Sequence, residues 1–436
     1  MRTLPSTRLR AVILPITLLT VVACGGQPAA PAPSSSPAVA SPQAEVPTPD
    51  PIIPFSTPTP SSAPDPTGGP VVDPTQPPTP TPVPQPTTWS KASVIFRGQC
   101  GSINATVDGT GRSHVVAGCG MSIRYATSAD GRSWRTTVLQ HPSYRLDVEP
   151  QIAVDGSTLY VAYTRLRQTD GGCGDDGLVD VGVYYRTRHL PAGAWSAPIR
   201  IGHAGDHLES FRVVDGVIHE TFTSADGTGP ISYGRLAGST FRSVVLPHAE
   251  ETSLRVGDDG RARIAYATER SIRFATVGAD MSLATRTLFS SKDMSVSWPN
   301  LVLGAGNHAY VTFTAHQDWG GGCTDAERPT SKPGTYFATD ASGTWQVRRL
   351  TKDIGQSSLV VDTTSGRITV ALDLGPGIRE YTRTPDGAWT GATIRGTGSM
   401  EIGVIRRDPV RGALLLVASR WNETTAENEI VALVKR

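Results

Sequence analysis

From Thr88 to the C-terminus, apolar and polar residues alternate in short runs such as "QIAVDG" (151–156), "LYVAYT" (159–164), "FRVVDG" (211–216) and "AYVTFT" (309–314). Alternation with period two, rich in Val, Ile, Thr and Tyr and cut by Asp-Gly pairs, predicts short β-strands joined by tight turns. No segment of this region carries a sustained helical stripe. About 350 residues is large for one ordinary core, so the pattern directs attention to a repeat.

The repeat has three landmarks in phase. Trp89, Trp134, Trp195, Phe241, Leu283, Trp345 and Trp389 are spaced by 45, 61, 46, 42, 62 and 44 residues. Asp108, Asp155, Asp215, Asp258, Gly304, Asp362 and Asp408 each end an alternating segment. An aromatic segment ("RYATS", "YYRTR", "ISYGR", "RFATV", "YFATD", "EYTRT") precedes the Trp position. Each unit therefore reads as four strands, and units of this length are the blades of a β-propeller. The expected fold class is all-β, a seven-bladed β-propeller over residues 89–436. The segment Glu401 to Arg436 supplies three strands, and Trp89 to Arg97, "WSKASVIFR", supplies a fourth that closes the ring and leaves no open sheet edge. Six blades remain open if unit 207–247 or unit 251–289 is misassigned.

"TSADGRSW" resembles the Asp-box, the turn repeated in sialidase-like β-propellers, with Ser128, Asp130, Gly131 and Trp134 at matching chemistry. It lacks one residue between Asp and Gly; "TPDGAW" (Thr384, Asp386, Gly387, Trp389) is shorter, and "TDASGTW" keeps Gly343 and Trp345. The turn is mechanical: Ser and Asp cap backbone N–H groups, Gly takes positive φ and Trp packs between sheets. It joins strands three and four, away from the face on which such propellers bind ligands. The resemblance implies three arginines on a substrate carboxylate, an Asp acid and a Tyr–Glu nucleophile pair. Their first arginine lies in a Phe/Tyr-Arg-Ile-Pro motif, of which Phe96-Arg97-Gly98-Gln99 keeps Phe and Arg. Only Arg97 carries over, and no Tyr–Glu pair is assigned.

Composition changes the picture at the N-terminus. Arg2, Arg8 and Arg10, an apolar run from Ala11 to Val22, and small residues before Cys24 form an export signal over residues 1–24. The run is shorter than the about 20 residues that span a bilayer. "VVAC" resembles the lipobox of bacterial lipoproteins, in which the cysteine, here Cys24, is lipidated; ordinary cleavage with Cys24 incidental is the alternative. The expectation is a lipoprotein exported, anchored to the cell membrane and facing outward. Residues 25–88 hold 21 of the 35 prolines, four acidic residues and no Lys or Arg. Such a Pro/Thr/Ser-rich stretch favours extended polyproline II and buries no core, so it reads as a disordered stalk reaching up to ~200 Å. The near-balanced charge, +1 overall, and the absence of a basic run predict no nucleic-acid partner. The chain is expected to act as a monomer.

Candidate chemistry collects on one face. In a four-strand meander the 2–3 turns and the blade links share an edge, and both enlarged connections are 2–3 turns: Arg165 to Asp180 and Ala315 to Gly334. Each carries one cysteine, Cys173 or Cys323. With Cys100 and Cys119, four cysteines in an exported protein suggest two disulfides; Cys100–Cys119 with Cys173–Cys323 is the favoured one of three pairings, and free thiols are the alternative. Asp170, Asp175, Asp176, Asp318 and Asp325 could hold Ca²⁺, although no EF-hand pattern is present; no cofactor is required. Around the central mouth the first strands begin at Glu149, Glu209, Glu251, Trp298, Gln356 and Glu401. Arg165, Arg270, His316, Asp373 and Arg420 lie at the ends of second strands. Carboxylates, guanidiniums and an aromatic plate suit a sugar or an acidic ligand, and a polar rim satisfying strand ends is the plain alternative. The expected function is a surface-displayed propeller that binds a glycan or glycosylated partner. An exo-sialidase or related glycoside hydrolase is the alternative, and a structural scaffold of the cell envelope the third reading.

Overall fold

The computed structural model describes residues 88–139, 145–168, 178–224, 229–317, 332–384 and 386–436. Residues 1–87, with Cys24 and the proline-rich segment, together with Cys173, Cys323 and the aspartates at 170, 175, 176, 318 and 325, lie outside them. Among the described residues, twenty-eight strands form seven four-stranded antiparallel sheets, arranged as a seven-bladed β-propeller. Units 207–247 and 251–289, the two weakest in sequence, each form a complete sheet, which decides seven over six.

The first strands of blades 1 to 7 are Cys100–Val107, Arg145–Asp155, His207–Val214, Glu251–Val256, Ser295–Leu303, Ser357–Val361 and Met400–Arg407. Each packs against the first strand of the next blade, and blade 7 returns to blade 1. The ring closes through the ends of the chain. Ser93–Gly98 is the outer strand of blade 7 and pairs with Glu427–Lys435, with Phe96 opposite Ile430 and Arg97 opposite Glu429. Trp89 bridges Lys435 and donates its indole N–H to Glu380 at 2.8 Å, so the chain just before the closing strand also reaches blade 6.

The recurring aromatic positions explain the core. Trp195 of blade 2 packs edge-on against Tyr125 of blade 1 at 5.2 Å. Trp345 of blade 5 meets Phe274 of blade 4 at 4.9 Å, and Trp389 of blade 6 meets Phe337 of blade 5 at 5.2 Å. Trp134 of blade 1 packs into blade 7 around Leu415 and Val434. Each indole thus caps the preceding sheet, where burying an aromatic ring contributes most. The turn before Trp134 is fixed locally: Ser128 Oγ accepts from Gly131 N at 2.8 Å, and Asp130 Oδ1 accepts from Arg132 N and Ser133 N, both at 2.8 Å. Those N–H donors hold the Asp130 carboxyl down at about 2. Gly131 has φ 70°, and a Cβ there would meet Val434 at 2.5 Å.

One enlarged connection is shorter than the alternation indicates. The second strand of blade 2 runs on to Gln168 and the third begins at Leu178, with Leu166 opposite Asp180 and Arg167 opposite Val179. The first strand begins early too, at Arg145. Blade 2 therefore extends past the others on the loop-rich face. Cys100 and Cys119, opposite each other at the ends of paired strands, are joined by a disulfide.

Candidate functional site

The mouth of the ring is built by bulges. The first strands of blades 1, 2, 3, 5 and 7 each slip register near their start, at 101/103, 148/151, 208/210, 297/300 and 402/404. A bulge inserts a residue and re-aims its side chain, and bulges recur beside functional sites. Ser102, Glu149 and Trp298 take positive φ there (44°, 52° and 54°), and Pro150 and Pro299 follow the latter two. Proline inside a strand is tolerated at such a break.

A cavity of about 360 Å³ lies at this mouth, lined by residues that include Ser102, Glu149, Gln151, Glu209, Gln356 and Glu401. His207 bridges two acids: Nε2 lies 2.7 Å from Glu149 Oε2 and Nδ1 lies 3.2 Å from Asp180 Oδ2. The Glu149 hydrogen bond, with the charge of both acids, raises His207 to about 9, so it is a cation at neutral pH. Glu209 is pushed up to about 7, first by burial and then by the nearby Glu149 charge. Burial also raises Glu251, which accepts a hydrogen bond from Trp298 N. Trp298 is 40% exposed and stacks on His316 with ring centres 6.3 Å apart. A continuous ridge thus runs Asp180–His207–Glu149–Glu209–Glu251–Trp298–His316 across blades 2 to 5.

The arginines do not join it as a cluster. Arg165 is buried and paired with Asp147, Nε to Oδ1 at 2.7 Å and Nη2 to Oδ2 at 3.0 Å, and its guanidinium lies over Tyr184 at 4.5 Å. Arg420 donates to Glu429 at 2.8 and 2.6 Å, and Arg97 meets the same carboxylate at 3.1 Å. Arg270 pairs with Glu269 at 3.3 Å on the turn of blade 4 and donates to the Lys292 carbonyl. Asp373 accepts from Gly375 N at 2.8 Å, within its own turn. The sequence reading missed His207 and Asp180. Their signal was only the strand extension of blade 2, visible as alternation through "RLRQ" and "LVD".

Among the described residues, no three His, Cys, Asp or Glu side chains are grouped to hold a metal ion. No protein-family model and no curated protein matches the sequence. Among solved structures the chain is similar to an ulvan lyase of polysaccharide lyase family PL25 (TM-score 0.54, 11% identity, 78% of this chain and 94% of that one). It is also similar to a streptogramin B lyase (TM-score 0.52, 9% identity, 80% and 98%). A looser superposition pairs it with a Trypanosoma rangeli sialidase (TM-score 0.45, 11% identity, 80% and 58%). At these identities the likeness is one of fold, which many activities share.

Proposed function

We propose that this protein is a surface-displayed propeller whose loop-rich mouth binds a neutral or cationic glycan, free or carried by a glycosylated partner. The observation that carries the reading is the ridge itself, a concave acidic mouth with a half-exposed tryptophan at its rim. Carboxylates accept from sugar hydroxyls, and an exposed indole offers a face to the ring's C–H groups. The mouth disfavours an acidic sugar, because Arg165 and Arg420 are already neutralised by Asp147 and Glu429. Display follows from the lipobox-like "VVAC" and the proline-rich stalk. A glycan array with the full chain tests the reading: Trp298→Ala should weaken capture of the best neutral ligand about tenfold with an unchanged melting temperature. Capture confined to sialylated or uronate-bearing glycans would overturn it. Cys24→Ser should release the protein from membranes; unchanged partitioning would remove the anchor.

One observation favours a hydrolase on the same mouth. Glu209, raised to about 7 by burial, stands within the electrostatic reach of Glu149, and a raised acid beside a second carboxyl group is the pairing that glycoside hydrolysis uses. Turnover of neutral fluorogenic glycosides, lost in Glu209→Gln with binding retained, would select this reading over simple capture.

A further inference from the structure

The channel has a second, oppositely charged end. A cavity of about 610 Å³ is lined by the first strands of all seven blades, through Thr106, Val154, Arg212, Arg255, Val302, Val360 and Arg406 among others. It therefore lies on the propeller axis. Arg212 is three residues beyond Glu209, Arg255 four beyond Glu251 and Arg406 five beyond Glu401. At about 3.3 Å per residue these three positions lie roughly 10–17 Å further along the inner strands than the acidic mouth, toward the turns that carry Asp258 and Asn307.

The three arginines have no carboxylate partner among the described residues. Arg212 and Arg255 donate to the carbonyls of Phe211 and Leu254, the latter at 2.7 Å. Arg406 donates to Ala105 O at 2.7 Å and Ile405 O at 2.9 Å. A guanidinium carries five N–H donors, so each retains several. Arg407, the other cation of the cavity wall, is committed to Asp362 at 2.9 Å, and Asp258 is the one carboxylate on the lining, exposed at the turn. Burial depresses Arg212 to about 10 and Arg406 to about 9, and Arg406 also feels the Arg212 charge from across the ring. Like charges confined beneath a protein wall are costly unless something neutralises them.

We propose that the inner end of the channel is a binding site for a tetrahedral oxyanion of the phosphate or sulfate class, gripped from three sides by Arg212, Arg255 and Arg406. Guanidiniums converging from blades 3, 4 and 7 match several oxygens pointing in different directions better than they match a planar carboxylate. The site is independent of the glycan reading, since it uses other residues at the other end of the axis.

Inorganic sulfate and phosphate titrated calorimetrically into the full chain, at constant ionic strength set with chloride, test it. Saturable binding is expected, with the dissociation constant raised at least tenfold in Arg406→Gln and in Arg212→Gln. It should be unchanged in Arg132→Gln, which removes an equal charge from an exposed turn. A hexose sulfate run alongside tells the sources apart: binding as tight as sulfate assigns an ester group, and binding of the inorganic ions alone assigns a free ion. Heats no greater than those of acetate, or equal in wild type and the arginine variants, would overturn the site. Should the variants not fold, selenate soaked into wild-type crystals must give an anomalous peak among the three arginines; a peak elsewhere only would also overturn it.

Discussion

Glu220 lies in the middle of the second strand of blade 3, 1% exposed, and neither carboxylate oxygen has a hydrogen-bond partner among the described residues. Burial, with the nearby Asp206 charge, raises it to about 8. A carboxyl whose folded pKa lies above its unfolded value of 4.5 binds its proton more tightly in the native state. Its contribution to stability is therefore full below about 4.5 and is lost as pH rises toward about 8. Glu220→Gln keeps the shape and removes the titration. Its melting temperature should exceed wild type at pH 8–9, with the advantage fading toward pH 5, as thermal scans across that range would register. A variant less stable than wild type at pH 9 would mean that the carboxylate is paired and ionised in the native state. Nothing in "VIHETFT" signals this residue as unusual. Alternation gives its facing, but only packing decides that no partner comes within reach.

At the scale of the strand, the indoles do what their spacing implies. Trp345 is partly buried and rests on Phe274 of the neighbouring blade. Trp345→Ala should cost about 2 kcal/mol in urea denaturation, below the range for fully buried aromatics because part of the ring already faces water. A cost under ~0.5 kcal/mol would mean that the indole is ornament to the interface between the blades. The disulfide is a second test at this scale. It closes a loop of 19 residues between paired strand ends. The double variant Cys100→Ser with Cys119→Ser should lose roughly 2–4 kcal/mol. Bulges were the element least legible beforehand. Pro150 and Pro299, each directly after a residue at the mouth, were the available signals, because proline inside an alternating run marks a break in the ladder.

For the whole molecule, closure is the decisive event. Removing residues 88–97 would strip blade 7 of its outer strand, expose the edge of Glu427–Lys435, and break the Trp89–Glu380 and Arg97–Glu429 contacts. That truncation should unfold at a temperature at least 10 °C lower and aggregate at lower concentration. Removal of residues 25–86 should leave the transition in place. Equal melting temperatures for the two would show that six complete sheets carry the ring without the seventh strand pairing.

The sequence by itself determined the four-strand repeat, the identity of the closing strand and the face on which the irregular residues gather, and the complete sheets of blades 3 and 4 then decided seven blades over six. All three follow from period-two alternation and in-phase landmarks, which are local properties repeated along the chain. It also placed Glu149, Glu209, Glu251 and Trp298 near the starts of the inner strands, although the strands of blades 2, 3 and 5 begin earlier, at Arg145, His207 and Ser295, and bulges turn the side chains to the mouth. Tertiary structure alone decided which charges survive. Arg165 and Arg420 lie inside second strands that run on to Gln168 and Asn422 rather than at their ends, and cross-strand register puts Asp147 opposite Arg165 and Glu429 opposite Arg420. Arg212, Arg255 and Arg406 look like ordinary surface alternation in sequence, and become a cationic cluster only when seven strands converge on one axis. Charge compensation depends on distances between residues far apart in the chain, and those distances exist only once the ring has closed.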